Sequence, residues 1–152
     1  MKAPKTSPKS APKPKRKRAA PAAVPTVVAR LVEGPIPYLE AIVRERVTEA
    51  TMVRLFESIR CEVSRHQAKR VLVDLREGSV ALTISDMLGL AKLVATTFAR
   101  VLERLALLLR PQDVLAEKFF EPSVSNRGLP TFVTTDPQEA IYWITAKIRP
   151  SR

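Results

Sequence analysis

Hydrophobic residues recur along this chain with two different periods, which alternate after residue 26. Runs of strand length, rich in β-branched residues, are separated by stretches in which apolar residues recur every three or four positions. The runs at residues 71–75 and 105–109 are almost wholly apolar, which is typical of central strands covered on both faces. The predicted strands are Val27–Val32, residues 38–46, residues 71–75, residues 105–109 and Thr131–Thr134.

The first two predicted helices have clear start signals. Thr48 begins a helix that runs to about His66, and Thr83 begins a second that runs to about Arg100. The Thr-x-x-acid pattern from Thr83 to Asp86 allows the two side chains to cap each other's backbone N–H groups. The buried face of the first helix is expected to contain Met52, Leu55, Phe56, Ile59 and Val63.

The third and fourth predicted helices also have recognisable start or stop signals. Pro111 begins the third, and residues 126–128 end it, because Gly128 can take the left-handed conformation of a helix terminus. Pro122 lies inside this helix and is expected to kink or shorten it. Asp136 and Pro137 begin the fourth helix as its cap and first residue.

The resulting element order is β-β-α-β-α-β-α-β-α, with short loops and no internal repeat. The first two strands are expected to form a hairpin-like pair. Alternation of strands and helices predicts an α/β fold, with a mixed sheet of about five strands and about four helices.

The second predicted helix is more apolar than burial against a single layer requires. One stripe contains Ile84, Met87, Leu88, Ala91, Ala95 and Phe98. Together with a second stripe it covers more than half of the circumference, whereas an amphipathic helix needs an arc of ~100° or somewhat more. The excess predicts contact with a partner, a lipid or a second copy, unless a neighbouring element covers it. The predicted interface residues are Leu90, Leu93, Val94 and Val101.

The N-terminal segment has a different composition. Eight of the chain's 26 lysines and arginines lie in the first 20 residues, which contain no acid, within a formal net charge of +11. This Lys/Pro/Ala-rich segment cannot bury a core, so residues 1–25 are predicted to be a disordered tail and residues 26–152 a single domain. The alternatives for the tail are non-specific binding to DNA, RNA or an anionic membrane and a solubilising or protein-docking role. The predicted polyanion-binding residues are Lys13, Lys15, Arg16, Lys17 and Arg18.

The chain offers little for catalysis or metal binding. Cys61 is the only cysteine and His66 the only histidine, so neither an intrachain disulfide nor a cysteine–histidine metal cluster is expected. Asp74 ends a predicted central strand, where α/β proteins place ligands, but pairing with a nearby arginine is the favoured interpretation. We expect no enzyme activity, no cofactor and no metal. No apolar run approaches the ~20 residues of a membrane span, no signal peptide is recognisable, and a cytoplasmic location is predicted.

The chain resembles the STAS family, the sulphate-transporter and anti-sigma-factor-antagonist domains. More closely, it is similar to a bacterial branch of that family grouped with lipid-transfer-like domains. The resemblance covers residues 27–148, nearly the whole predicted domain. Its motifs are residues 71–76 (a hydrophobic strand followed by Asp and Arg), residues 119–121, residues 126–128, and Asp136 with Glu139, Ala140 and Trp143.

The chain departs from this family at the position of phosphorylation. Anti-sigma-factor antagonists carry an Asp-Ser-Ser-Gly-like motif after the central strand, with a phosphorylated serine. Residues 78–86 read Gly-Ser-Val-Ala-Leu-Thr-Ile-Ser-Asp and lack that motif. The resemblance therefore implies a STAS-like domain without a transferable phosphorylation site.

Two functions follow as hypotheses. The first is a regulatory or scaffolding module that binds a protein partner or a second copy of itself. The alternative is a carrier or sensor of a lipid or small apolar ligand, which the resemblance also allows. A closed apolar cavity beneath the second helix favours the carrier, whereas a flat exposed patch favours the scaffold.

Overall fold

The computed structural model describes residues 2–4, 10–12, 26–113 and 115–149. The predicted disorder of residues 1–25 falls mostly outside the described residues. The elements, in chain order, are β1 (Val27–Val32), β2 (Tyr38–Val43), β3 (Arg46–Val47), α1 (Glu49–His66), β4 (Arg70–Asp74), β5 (Ser79–Val80), α2 (Ile84–Phe98), β6 (Arg104–Leu108), a 3-10 turn (Pro111–Asp113), α3 (Leu115–Ser125), β7 (Thr131–Thr134) and α4 (Pro137–Thr145).

Five strands form one mixed sheet in the order β1-β2-β4-β6-β7. β1 runs antiparallel to β2 at one edge, and the remaining neighbours are parallel. The predicted α/β class, the mixed five-stranded sheet and the four helices are confirmed. This topology places the starts of β4, β6 and β7 along one edge of the sheet and their ends along the other.

The two faces of the sheet are covered unequally. One face packs against α1, α2 and α3 and forms the larger core, which includes Leu39, Val71 and Leu105. The other face packs against α4 over β4, β6 and β7, and its smaller core includes Leu72, Ala106 and Ile144. Strand residues therefore alternate between the two cores, as the pleat of a sheet requires.

β3 and β5 form a separate two-stranded parallel pair. The sequence predicts one strand over residues 38–46 and a loop at residues 76–82, and this pair corrects both. A side chain at Gly78 would place its Cβ 2.3 Å from the carbonyl oxygen of Glu45. Glycine is therefore required for the chain to pass close to the end of β2 before it forms β5.

The capping signals act as the sequence predicts. At the start of α2, the backbone N–H of Asp86 donates to Thr83 Oγ1 (3.1 Å) and the backbone N–H of Thr83 donates to Asp86 Oδ2 (2.9 Å). These bonds lower the pKa of Asp86. At the start of α4, the backbone N–H of Gln138 donates to Asp136 Oδ1 (2.8 Å). Local hydrogen bonds thus fix two helix starts without help from the core.

The end of α3 agrees with the sequence, while its proline does not interrupt it. Gly128 has a φ of +96° in the turn that follows the helix. The helix continues through Pro122 to Ser125, and Pro122 is exposed. The proline lies in the last turn, so the helix loses only one late backbone bond to it.

Candidate functional site

A cavity of about 110 Å³ lies between α1, α2 and the sheet. The lining side chains of the described residues are all apolar. Because its lining residues belong to the larger core, the cavity is concave rather than a flat surface patch. Its helical walls are formed by Leu55, Phe56, Ile59 and Val63 of α1 and by Met87, Leu90, Val94 and Phe98 of α2.

The floor of the cavity consists of the two central strands. Val71 and Val73 of β4 and Leu105 and Leu107 of β6 line it. The close backbone neighbour of α2 is α3 rather than any strand, so short valine side chains on β4 do not fill the space beneath α2. Leu107 is only half-buried although it lies on an internal strand, because its side chain faces this space.

The β3–β5 pair lines the cavity at the edge where the parallel strands end. Val47 and Val80, which lie opposite each other in this pair, both line the cavity, together with Leu82. The backbone N–H of Ala81 donates to the carbonyl oxygen of Val47 over 2.8 Å. An exposed ion pair between Arg44 and Glu77 lies next to these two strands, with 2.7 Å between Nε and Oε2.

The cavity can bind but supplies no reacting group. None of the described lining residues has a titratable or hydrogen-bonding side chain. A polar ligand group would lose its bonds to water there and gain none, at a cost of several kcal/mol. The site therefore suits an uncharged apolar group.

The four predicted interface residues do not share one surface. Leu90 and Val94 line the cavity, and Val94 is only 6% exposed. Leu93 is half-buried and packs against the larger core. Val101 is exposed and lies beyond the end of α2. The excess apolar surface of α2 is thus accounted for in part by the cavity, and a partner interface stays a prediction.

The predicted polyanion-binding residues of the tail lie outside the described residues. These residues are Lys13, Lys15, Arg16, Lys17 and Arg18. Their binding role stays a prediction.

Asp74 follows the structural interpretation rather than the ligand-binding one. Its buried carboxylate accepts two side-chain bonds from Arg76, from Nε to Oδ1 (3.0 Å) and from a terminal nitrogen to Oδ2 (2.8 Å). The hydrogen bond to this carboxylate raises the pKa of Arg76. The bidentate geometry occupies both oxygens. Arg127 likewise has a structural contact, because it donates to the carbonyl oxygen of Ser123 near the end of α3 (2.6 Å).

Sequence reasoning missed a pair of arginines that hold the end of α4. Buried Arg70 donates to the carbonyl oxygens of Ile144 (2.8 Å) and Ala146 (2.7 Å), and Arg104 donates to that of Trp143. Burial and the neighbouring charge of Arg70 lower the pKa of Arg104. The carbonyls at a helix C-terminus lack partners within the helix, and cations stabilise that end.

The only available signal for these two arginines was that each lies at the first position of an apolar strand, β4 or β6. Arg70 and Arg104 lie opposite each other in the parallel pair of β4 and β6. The indole of Trp143 packs over Arg104, with 4.8 Å between the guanidinium carbon and the ring centroid, and stacks on Phe132 at 5.6 Å. The role of Trp143 is therefore packing.

Neither a metal-binding cluster nor a membrane-spanning helix occurs in the part of the chain that the structure describes. No group of three or more His, Cys, Asp or Glu side chains is arranged to hold a metal ion among those residues. None of the helices in residues 26–113 and 115–149 combines the length and apolarity needed to cross a membrane.

Comparison with known proteins identifies the fold. No family model matches the chain, and no curated protein matches it. Among solved structures, one similar chain is an uncharacterized protein of the DUF3478 family with a SpoIIAA-like fold, from Shewanella loihica PV-4. The TM-score is 0.50 at 12% sequence identity, over 83% of this chain and 99% of that chain. At this identity the likeness shows the fold alone, and the resemblance inferred from the sequence motifs is confirmed at that level: the chain has a SpoIIAA-like, STAS-like α/β fold.

Proposed function

We propose that this domain is a non-enzymatic binding module that holds a small apolar ligand in the cavity beneath α2. The observation that carries the proposal is the cavity of about 110 Å³ with its apolar lining. Of the two hypotheses raised from the sequence, this arrangement favours the carrier or sensor over a scaffold that uses a flat patch. The ligand is an uncharged apolar group, either a whole molecule or the end of a longer one.

The size of the cavity supports a ligand rather than imperfect packing. Protein interiors contain few voids larger than a water molecule. Leaving 110 Å³ empty costs on the order of 2–3 kcal/mol at about 24 cal/mol per Å³. An engineered apolar cavity of about 150 Å³ stays dry and binds benzene or xenon. A benzene-sized group is therefore the expected upper limit for a rigid ligand.

Filling the cavity is expected to remove binding and to stabilise the fold. The test is the double variant Val73→Ile and Val94→Leu, which adds methyl or methylene groups to the floor and to α2. Benzene and xenon binding to the full chain, followed by NMR shifts, should weaken at least tenfold. The free energy of unfolding should rise by about 0.5–2 kcal/mol, as is common for cavity filling.

The matched control is Val53→Leu, which enlarges an exposed valine of α1 that does not line the cavity. It should leave both probe binding and stability unchanged. The proposal fails if the wild-type chain binds neither probe, or if the filled variant binds them as tightly as the wild type does.

Association with a second copy or another protein is the second candidate function. It is supported by Leu93, which keeps partial exposure although it packs against the core. Changing Leu93 to glutamate should leave benzene binding intact and abolish self-association in sedimentation velocity, because charge is disfavoured at an interface core. Thr96→Glu places the same charge on the exposed side of α2 and is the control. A wild-type chain that stays monomeric at high concentration would exclude self-association.

A further inference from the structure

The edge of the sheet at which β4, β6 and β7 begin has a distinctive surface. Three hydrogen bonds, two between backbone groups and one from a side chain, join the loops of this edge. The N–H of Glu103 donates to the carbonyl oxygen of Lys69 (2.6 Å), and the N–H of Leu105 donates to that of Pro130 (3.0 Å). Arg70 holds the chain at Ala146. The ends of α1, α2, α3 and α4 therefore lie along this one edge.

Exposed cations are concentrated on this edge, which we call the basic edge. Three carboxylates lie on this edge: Glu62 is 3.7 Å from Arg65, Glu103 is 3.0 Å from buried Arg70, and Glu33 is exposed in the loop after β1. Apart from Arg65, the exposed cations of this edge have no acidic partner within salt-bridge distance among the described residues. The exposed cations of the basic edge are Arg65, Lys69, Arg100, Arg127, Lys147 and Arg149.

Exposed aliphatic side chains lie between these cations. Val101 is 42% exposed and directly follows Arg100, while Ile148 is 49% exposed between Lys147 and Arg149. Leu31, at the end of β1 beside Lys69, is 36% exposed. The helix dipole favours cations at helix C-termini, but it gives no reason for aliphatic residues beside them in water.

We propose that the basic edge docks on an anionic lipid bilayer. Such a surface satisfies both features, since its headgroups attract Lys and Arg and its interface accepts apolar side chains. The sugar–phosphate backbone of a nucleic acid would satisfy the cations alone. The inference is independent of the ligand cavity.

Two variants of the full chain separate charge from apolar contact. Changing Arg100 and Lys147 to glutamine should weaken co-sedimentation with vesicles of phosphatidylcholine and phosphatidylserine by about 25-fold, at about fivefold per cation. Changing Val101 and Ile148 to serine should weaken it by about tenfold, because two aliphatic side chains no longer insert. Binding of wild type should fall with salt and with removal of phosphatidylserine.

The matched controls are Lys92→Gln and Val53→Ser, which make the same changes on α2 and α1 away from the basic edge. Each should change vesicle binding by less than about twofold. A further variant of the full chain neutralises Lys13, Lys15, Arg16, Lys17 and Arg18, and it should retain vesicle binding.

Three outcomes would overturn the proposal. The edge variants could bind vesicles like their controls. The tail variant could lose all vesicle binding, which would assign it to the tail. The charge variant could weaken binding to duplex DNA as much as to vesicles while the serine variant has no effect, which would identify a nucleic-acid surface.

Discussion

Replacing Arg70 with methionine is expected to lower the free energy of unfolding by about 3 kcal/mol. The Arg70 side chain is 7% exposed and donates to the carbonyl oxygens of Ile144 and Ala146. Methionine fills similar space but removes the donor from the buried carbonyl of Ile144 and the partly buried carbonyl of Ala146. The loss of these hydrogen bonds outweighs the desolvation cost that is relieved when the buried charge is removed. The ion pair with Glu103 contributes little, because that carboxylate is 46% exposed.

The measurement is urea unfolding of the wild-type chain and the Arg70→Met variant, with the Arg60→Met variant as control. Arg60 also pairs with a glutamate, Glu57 at 2.9 Å, but both side chains are exposed. Its loss should cost less than about 0.5 kcal/mol. Equal stability of the two variants would mean that Arg70 does not hold the end of α4. Trp143 emission should also change in the Arg70 variant alone, because α4 loses its anchor.

Replacing Gly78 with alanine is expected to cost about 2–3 kcal/mol, in the range of overpacked cores. The new Cβ would lie 2.3 Å from the carbonyl oxygen of Glu45 and 3.1 Å from that of Val43. Both contacts are to backbone, so no side-chain rotation relieves them and β5 must move away from β3. Because Val47 and Val80 then shift, benzene binding in the cavity should weaken as well.

Gly89→Ala is the matched control and should change the free energy of unfolding in the opposite direction. Gly89 lies inside α2, and an added Cβ meets nothing within 4 Å. Alanine is the better helix former, so the free energy of unfolding should rise by about 0.5–1 kcal/mol. Thermal or urea unfolding could show that both variants change the free energy of unfolding in the same direction. The contact between Gly78 and Glu45 would then not determine the position of β5.

The cavity and the basic edge involve different side chains of one scaffold. The β3–β5 pair lines the cavity where the parallel strands end, and Leu102 lines it near the basic edge, where those strands begin. An apolar ligand and an anionic surface can therefore be tested by separate substitutions. Val73 and Val94 report on the cavity alone, and Arg100 and Lys147 report on the edge alone.

The sequence by itself determined the elements with local signals. The starts of α2 and α4 and the end of α3 were predicted at Thr83, Asp136 and Gly128, because caps and left-handed turns involve residues close in the chain. The fully buried β4 and the largely buried β6 were visible as apolar runs. The motifs at residues 71–76, 119–121 and 126–128, together with those of the last helix, indicated a STAS-like fold, which the structure comparison confirmed at the level of the fold.

Only the tertiary structure decided the features that join distant segments. The β3–β5 pair joins residues 46–47 to 79–80, and Arg70 reaches across to residue 146. Neither contact follows from periodicity, because two-residue strands are too short to show a period and an arginine at the start of a strand does not indicate its distant partner. The cavity depends on the difference between the space beneath α2 and the volume of valines on β4. Periodicity shows which side chains face the core, but packing geometry decides whether they fill it.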